Sequence, residues 1–491
     1  MQVFPDKAEF ERLQNTSPCF PVIGQLKVPG VDITQLFERL FYPAPYSFLF
    51  ESCKGPEAVA RYSIMGQADG CILTIHQSRA ELCNSEITRE IPLELAFELL
   101  DFPPDLTEID YAPHFWSGWV GLMSYEANEL FESLPERKQH AGNSLPDAIF
   151  METHRPLIYD HQSKEIKIIY TVDAENNASY ETALQYIDEM ARRIEDIFKE
   201  VPPSPAPHPT GYAKKDTDLQ SLQTQSEYIE KVHRAKKYIE EGDIYQVNLS
   251  QEFRAKINVS SLVMYRQLKS VNPAPFAGLL KLQDTSIISS SPERLVKISG
   301  SRIETRPIAG TRPRGKTEEE DKIFSAELFL SEKEKAEHLM LVDLERNDLG
   351  RICETGSVKV TDLMFLEQYS HVSHIVSNIQ GDLKPGTTIR DIFQAVFPGG
   401  TITGCPKIRC MEIINELEPG ARGAYTGSFG YIGNGGHLDF NIIIRTFVMR
   451  EGHASFHVGA GIVADSEPEK EYHETLHKAA ALLEALALAS Q

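Results

Sequence analysis

Three observations on this chain of 491 residues predict an α+β fold. Apolar residues alternate with period two in some stretches and recur at helical spacing in others, so both element types are expected. The two kinds do not alternate one for one, as the βαβ units of a doubly wound sheet require. The length allows two domains or one large two-layer fold.

Residues 1–200 read as a mixed N-terminal region. The stretches at 46–51, 71–75 and 166–170 are β-branched and aromatic, and 180–199 carries many charges at helical spacing. Residues 201–225 begin with a Pro-rich run and a polar stretch, which build no packed element and are expected to form an exposed connection. Residues 226–491 then read as a helix over 228–241, a strand over 243–251, and a strand over 286–291 that stops at Pro292-Glu293-Arg294. Further strands are expected at 358–360, 427–432, 438–450 and 454–459, and helices at 318–343, 388–395, 406–417 and 470–489.

The formal net charge of −22 argues against nucleic acid and anionic membranes as partners. No apolar run approaches the roughly 18 residues that span a bilayer, and the start lacks the basic-then-apolar pattern of a secretory signal. Seven cysteines in irregular spacing, with no Cys-x-x-Cys, read as reduced thiols in a cytoplasmic protein. Such an acidic chain must gather positive charge locally wherever it binds an anion.

Two carboxylate pairs stand out. Glu334 and Glu337 follow the loop Arg306-Pro-Ile-Ala-Gly-Thr-Arg-Pro-Arg-Gly315, and Glu471 and Glu474 open the last helix. Residues three apart share a helical face, so the two pairs can close on one hard cation such as Mg²⁺. His473-Glu-Thr-Leu-His477 also matches the zinc-protease helix. That chemistry needs a third ligand and a peptide groove, while Leu476, Ala480, Leu483 and Ala487 suggest core packing, so Glu474 stays with the Mg²⁺ reading.

The Gly-rich loop at 397–407 leads into a helix and presents backbone N–H groups to an anion, with Lys407 close by. The glycines of Val458-Gly-Ala-Gly-Ile-Val463 allow close approach by a ligand or by a neighbouring strand. His374 either orients a substrate hydroxyl or is a satisfied core residue. Arg445, inside the apolar run 438–450, needs an anion, from a ligand or from a buried acid.

Together these stretches resemble the chorismate-utilising family. The likeness is dense over about 226–489, through Gly-Asp-Ile-Tyr-Gln-Val-Asn-Leu-Ser-Gln, Ser-Ser-Pro-Glu-Arg, the 306–315 loop, Leu-Val-Asp-Leu-Glu-Arg-Asn-Asp-Leu-Gly-Arg, Pro-Gly-Gly-Thr-Ile-Thr-Gly-Cys-Pro-Lys and Gly-Ala-Gly-Ile-Val-Ala-Asp-Ser. Residues 1–200 match more loosely, through Tyr-Ser-Phe-Leu-Phe-Glu-Ser, the N-terminal region of anthranilate synthase component I. The resemblance implies an α/β sandwich whose antiparallel sheets enclose the site. It also implies Mg²⁺ held by Glu337 and Glu474 with Glu334 and Glu471 nearby, and substrate carboxylates met by Arg445, Lys478 and the backbone of Gly459, Ala460 and Gly461. Thr401, Tyr425 and His374 match further substrate-contacting positions, and Glu293 matches the acid that protonates the departing ring hydroxyl.

Gln246 stands where water-using relatives carry a lysine base. The resemblance therefore implies ammonia as nucleophile and, since no glutaminase domain is recognisable, a separate glutamine amidotransferase partner. Ala309 stands where many aminodeoxychorismate synthases have a lysine, and alanine is usual in anthranilate synthases. Ser373 and Pro398-Gly-Gly-Thr-Ile-Thr point the other way. So does Asn272-Pro-Ala-Pro-Phe-Ala-Gly278, which departs from the pattern that lines the tryptophan site of anthranilate synthases; the candidate tryptophan residues here are Glu51, Ser52, Asn272, Pro273 and Phe276. The expectation is an aminodeoxychorismate synthase component I serving p-aminobenzoate and folate, with anthranilate formation for tryptophan as the alternative. Glu293, both carboxylate pairs and Arg445 oppose a catalytically silent homologue.

Overall fold

The computed structural model describes residues 1–28, 30–52, 61–84, 87–103, 109–135, 145–173, 178–200, 219–315, 317–368 and 372–490. Among them, thirteen strands form one sheet and twelve a second, with every paired neighbour antiparallel. The α+β expectation holds. One apolar core lies between the sheets, with Phe48, Leu280 and Ile287 from the first meeting Val120, Leu122 and Phe429 from the second. The outer face of the first sheet is covered by helices that include Tyr180–Glu200, Ser261–Val271 and Pro468–Ala489. That of the second is covered by Leu93–Glu98, Glu332–Ile352 and Ile389–Val396.

Both sheets run through the N- and C-terminal regions. Tyr46–Glu51 pairs with Phe276–Leu282, and Gly118–Met123 pairs with Ser428–Gly433. The two regions therefore share their core. Of the connection expected at 201–225, residues 201–218 lie outside the described residues. Leu219–Ser221 is an edge strand on Gln246–Lys256, and Thr224 caps the helix Gln225–Glu240.

Two neighbouring legs carry the chain from sheet to sheet. Thr285–Ser291 lies in the first sheet and, past Pro292-Glu293, Arg294–Ser299 lies in the second. The return leg leaves the second sheet as His437–Asn441, beside Arg294–Ser299, and rejoins the first as Thr446–Arg450, beside Thr285–Ser291. The corners are pinned together: Ser291 Oγ donates to Ile442 O at 2.6 Å, Ile442 N to Glu293 O at 3.0 Å, and Ser290 N to Arg445 O at 3.2 Å.

The strand expected at 438–450 is thus two strands, because the apolar run continues through a corner that hydrophobic patterning does not register. The helix expected over 318–343 is also two, Glu318–Leu330 and Glu332–Ile352, since Ser331 ends the first and its hydroxyl accepts the Glu334 N–H at 3.3 Å. The strand expected at 358–360 runs as Lys359–Gln368 through two register shifts. In the last helix the core face carries Thr475, Ala479, Leu482 and Leu486, one residue out of phase with the expected one. From Ala479 onward its Ala- and Leu-rich sequence is apolar nearly all round, so periodicity leaves the phase open.

Candidate active site

The corner between the sheets places an acid beside a cation. Glu293 is buried, and Thr401 Oγ1, on the short turn Gly400–Ile402, donates to its Oε1 at 2.7 Å. Burial pushes the Glu293 carboxyl up to about 7, against the Thr401 hydrogen bond and the charges of Arg445 and Lys478. Near neutrality it still holds a proton to give.

Arg445 sits on the second corner with φ 51, a left-handed conformation that costs a non-glycine residue about 1–3 kcal/mol. Its guanidinium makes no hydrogen bond or ion pair with any described residue. Burial lowers its pKa and the Glu293 charge works in the other direction. A half-buried guanidinium that makes no ion pair with a described residue, on a strained backbone, can receive an anion.

The floor is the strand pair Gln246–Lys256 and His453–Ile462, with Gly459, Ala460 and Gly461 opposite Ser250, Leu249 and Asn248. A Cβ at Gly459 would stand 2.6 Å from both Tyr425 Oη and Asn248 Oδ1, and one at Gly461 2.6 Å from Gln246 Nε2. These two glycines let Tyr425 and Gln246 lie against the strand. The Tyr425 ring is buried and stacks on His457 at 5.3 Å. Gln246 Nε2 reaches Glu337 at 3.5 Å, and Lys478 Nζ bridges Glu474 (2.8 Å) and Gly459 O (3.0 Å).

His374 is buried, its Nδ1 3.2 Å from Gly310 O. Burial and the Arg445 charge press its pKa down to about 4, so it is neutral in this site. Ala309, also buried, precedes Gly310, whose left-handed turn allows Glu334 to approach: a Cβ there would lie 2.8 Å from Glu334 Oε2. Arg312 holds Glu334 at 3.3 Å, and Glu471 is half-buried on the last helix.

The four carboxylates do not form one cage: no three His, Cys, Asp or Glu side chains among the described residues are placed to hold a metal ion. Glu337 and Glu474 do flank the same patch of floor, through Gln246 and through Lys478 on Gly459. Hard oxygen donors from two helices suit Mg²⁺, which commonly takes one or two carboxylates and completes its shell with water and ligand oxygens. His473 and His477 are exposed, and Glu474 between them is held by Lys478, so the zinc-protease pattern gathers no ligand set.

Lys407 does not face the anion site as the Gly-rich loop suggested. Its Nζ pairs with Asp348 at 2.8 Å and donates to Ala395 O at 3.1 Å, bracing the loop from behind. Of the candidate tryptophan residues, Glu51, Ser52 and Phe276 line a separate cavity of ≈ 350 Å³. Asn272 is tied to Ser290 Oγ at 3.2 Å, and Asn272 and Pro273 are not among its lining residues. Glu51 is held by Lys269 at 2.8 Å and Tyr265 at 2.6 Å.

Sequence reasoning missed Arg422, a buried hub behind the floor. Its guanidinium donates to Glu418, Asn248 O (2.7 Å), Ile402 O (3.2 Å) and Thr426 Oγ1 (3.2 Å), and lies over the rings of Tyr125 and Tyr425. It thus ties the Gln246 strand to the Thr401 turn and to Tyr425. The segment Glu418-Pro-Gly-Ala-Arg422 lies past the end of helix Lys407–Leu417, so no helical spacing signalled the pair.

A family profile described as chorismate binding enzyme matches residues 45–484. The chain is 40% identical to anthranilate synthase component 1 of Thermus thermophilus, covering 95% of this chain and 97% of the relative. It is also 40% identical to aminodeoxychorismate synthase component 1 of Bacillus subtilis, covering 93% and 95%. The crystal structure of anthranilate synthase component I from Streptococcus pneumoniae superposes with a TM-score of 0.73 at 32% identity, over 86% of this chain and 91% of that one.

Proposed function

The chain belongs to the chorismate binding enzyme family, and from that premise we propose that it aminates chorismate with ammonia, Glu293 supplying the proton that lets the ring hydroxyl leave as water. The observation that carries this reading is the corner itself, where a carboxyl with a pKa of about 7 stands beside a guanidinium that makes no ion pair or hydrogen bond with a described residue. Arg445 and Lys478 would take the substrate's carboxylates, Tyr425 and the Gly459 to Gly461 backbone would confine it, and neutral His374 would orient a hydroxyl. A Mg²⁺ held by Glu337 and Glu474, with Glu334 and Glu471 around it, would supply positive charge to a substrate carboxylate.

Gln246 supports ammonia over water as the nucleophile, because a neutral amide is no base. A glutamine amidotransferase partner follows from that choice, and the "component 1" in the relatives' names supports it. For the product we favour 4-amino-4-deoxychorismate. Whole-chain identity is the same, 40%, to the two relatives just named, so residues at the site weigh more. Ser373 and Pro398-Gly-Gly-Thr-Ile-Thr favour this product. Anthranilate with pyruvate is the second reading, favoured by Ala309 and by the several similar proteins that carry that name. Tryptophan in the Glu51, Ser52 and Phe276 cavity would accompany the second reading.

Purified protein given chorismate, Mg²⁺ and excess ammonium near neutral pH tests this directly. p-Aminobenzoate formed only when aminodeoxychorismate lyase is added supports the first reading, and anthranilate fluorescence without the lyase supports the second. No turnover in either assay would refute amination.

Two substitutions probe individual roles. Glu337→Gln is expected to weaken Mg²⁺ binding in a calorimetric titration and to abolish turnover, with an unchanged melting temperature. Unchanged binding and turnover would remove Glu337 from the metal assignment. Gln246→Lys places a base at the nucleophile position and is expected to yield some isochorismate from water when ammonium is omitted, detected by chromatography. If aminated product alone ever appears, the position does not choose the nucleophile.

A further inference from the structure

Helix Glu332–Ile352 turns Leu341, Val342, Glu345, Asp348 and Leu349 inward, so two carboxyls lie in its core-facing stripe. Asp348 has a counter-ion in Lys407 at 2.8 Å. Among the described residues Glu345 has none within ion-pair distance, and its one hydrogen bond is with Thr305 Oγ1 at 2.6 Å.

Thr305 Oγ1 is also 3.0 Å from Leu295 O. A hydroxyl has one hydrogen, and a carbonyl and an ionised carboxylate are both acceptors only. With Glu345 ionised, two buried acceptors would compete for that hydrogen. With Glu345 protonated, its carboxyl donates to Thr305 and Thr305 donates to Leu295 O, so both buried acceptors are served. Electrostatics agrees: burial first, then the charges of Glu293 and Asp348, push the Glu345 carboxyl well above the usual range, against Thr305 and Lys407.

The location gives this a consequence. Leu295 is two residues from Glu293, and Glu345 and Thr305 enclose a small space with Gly400 and Ile442. Gly400 adjoins Thr401, and Ile442 donates to the Glu293 carbonyl. We propose that Glu345 is a positioning residue that works as an uncharged acid: through Thr305 and Leu295 it braces the corner bearing Glu293 against the helix bearing Glu334 and Glu337. Being uncharged, it also adds no repulsion when Glu293 gives up its proton. The inference rests on Glu293 as the acid of the proposed reaction, and its test has an arm that needs no turnover.

Infrared difference spectra of the whole protein at neutral pH should show a protonated-carboxyl band that disappears in Glu345→Gln and persists in Glu293→Gln. Identical spectra for wild type and Glu345→Gln would overturn the uncharged acid. In turnover, Glu345→Gln keeps a donor to Thr305 and is expected to stay within about two-fold of wild-type kcat. Glu345→Leu and Thr305→Val each break the brace and are expected to lower kcat about five-fold with little change in KM, and Thr305→Ser to restore it. Thr305→Val with wild-type kcat, or a loss in Thr305→Val that Thr305→Ser does not restore, would overturn the positioning role.

Discussion

Glu293→Gln is expected to lower kcat by about 10²–10⁴-fold, the usual worth of a positioned general acid, with a much smaller effect on KM. Hydroxide is a poor leaving group, and a glutamine of the same shape keeps the Thr401 contact but has no proton to transfer. In the wild type, kcat/KM should fall as pH rises through about 7, where Glu293 ionises, and this limb should vanish from the residual activity of the variant. The same group makes a stability prediction of definite sign. Its folded pKa lies above the ordinary carboxylate value, so its stabilising contribution is full below that range and is lost as pH rises through about 7. Glu293→Gln should therefore melt higher than wild type at pH 8, with the difference shrinking toward pH 4. A variant that keeps wild-type kcat would remove Glu293 from the chemistry, and one that melts lower at pH 8 would contradict its burial as an acid.

Much of the site was legible because its residues belong to contiguous motifs whose chemistry is local. Glu293 follows a strand that ends at Pro292, Thr401 lies in a Gly-rich turn, and Gly459 to Gly461 interrupt an apolar run. Each of these departs from plain core patterning. What stayed hidden depends on pairing between distant segments. Nothing near Lys407 says that Asp348 neutralises it, and nothing near Glu345 says that Thr305 is its partner. Arg445 was singled out for the right reason, a cation among apolar neighbours, on the wrong backbone: it sits at a corner with φ 51 and not inside a strand. Apolar patterning reports burial, and both the strand and the corner are buried. The sharing of both sheets by the two halves of the chain was equally out of reach, since Tyr46–Glu51 and Phe276–Leu282 meet across more than two hundred residues.

Arg445→Met is expected to cost about 2–5 kcal/mol in chorismate binding, the usual loss when one partner of a desolvated charge pair is removed, or roughly 30-fold to several thousand-fold in kcat/KM. Two features make the guanidinium hard to replace. Its backbone is already fixed by the corner, through Ser290 N on Arg445 O, and it spends no donor on a described protein group. The substitution should also reach Glu293. The Arg445 charge holds the Glu293 pKa down, so its loss should move the alkaline limb of the pH profile upward. Arg445→Lys separates the two effects, because lysine restores a charge but not the planar fork that meets a carboxylate with two parallel hydrogen bonds. Its limb should stay near the wild-type position while binding remains weak. Both side chains would occupy the same left-handed backbone, so conformational strain does not distinguish them. Equilibrium binding of chorismate and the pH dependence of turnover measure the two effects independently. Wild-type affinity in Arg445→Met would mean that the anion site belongs to Lys478 and the floor, and a limb shifted equally in both variants would mean that Arg445 acts on Glu293 through the corner's shape and not through its charge.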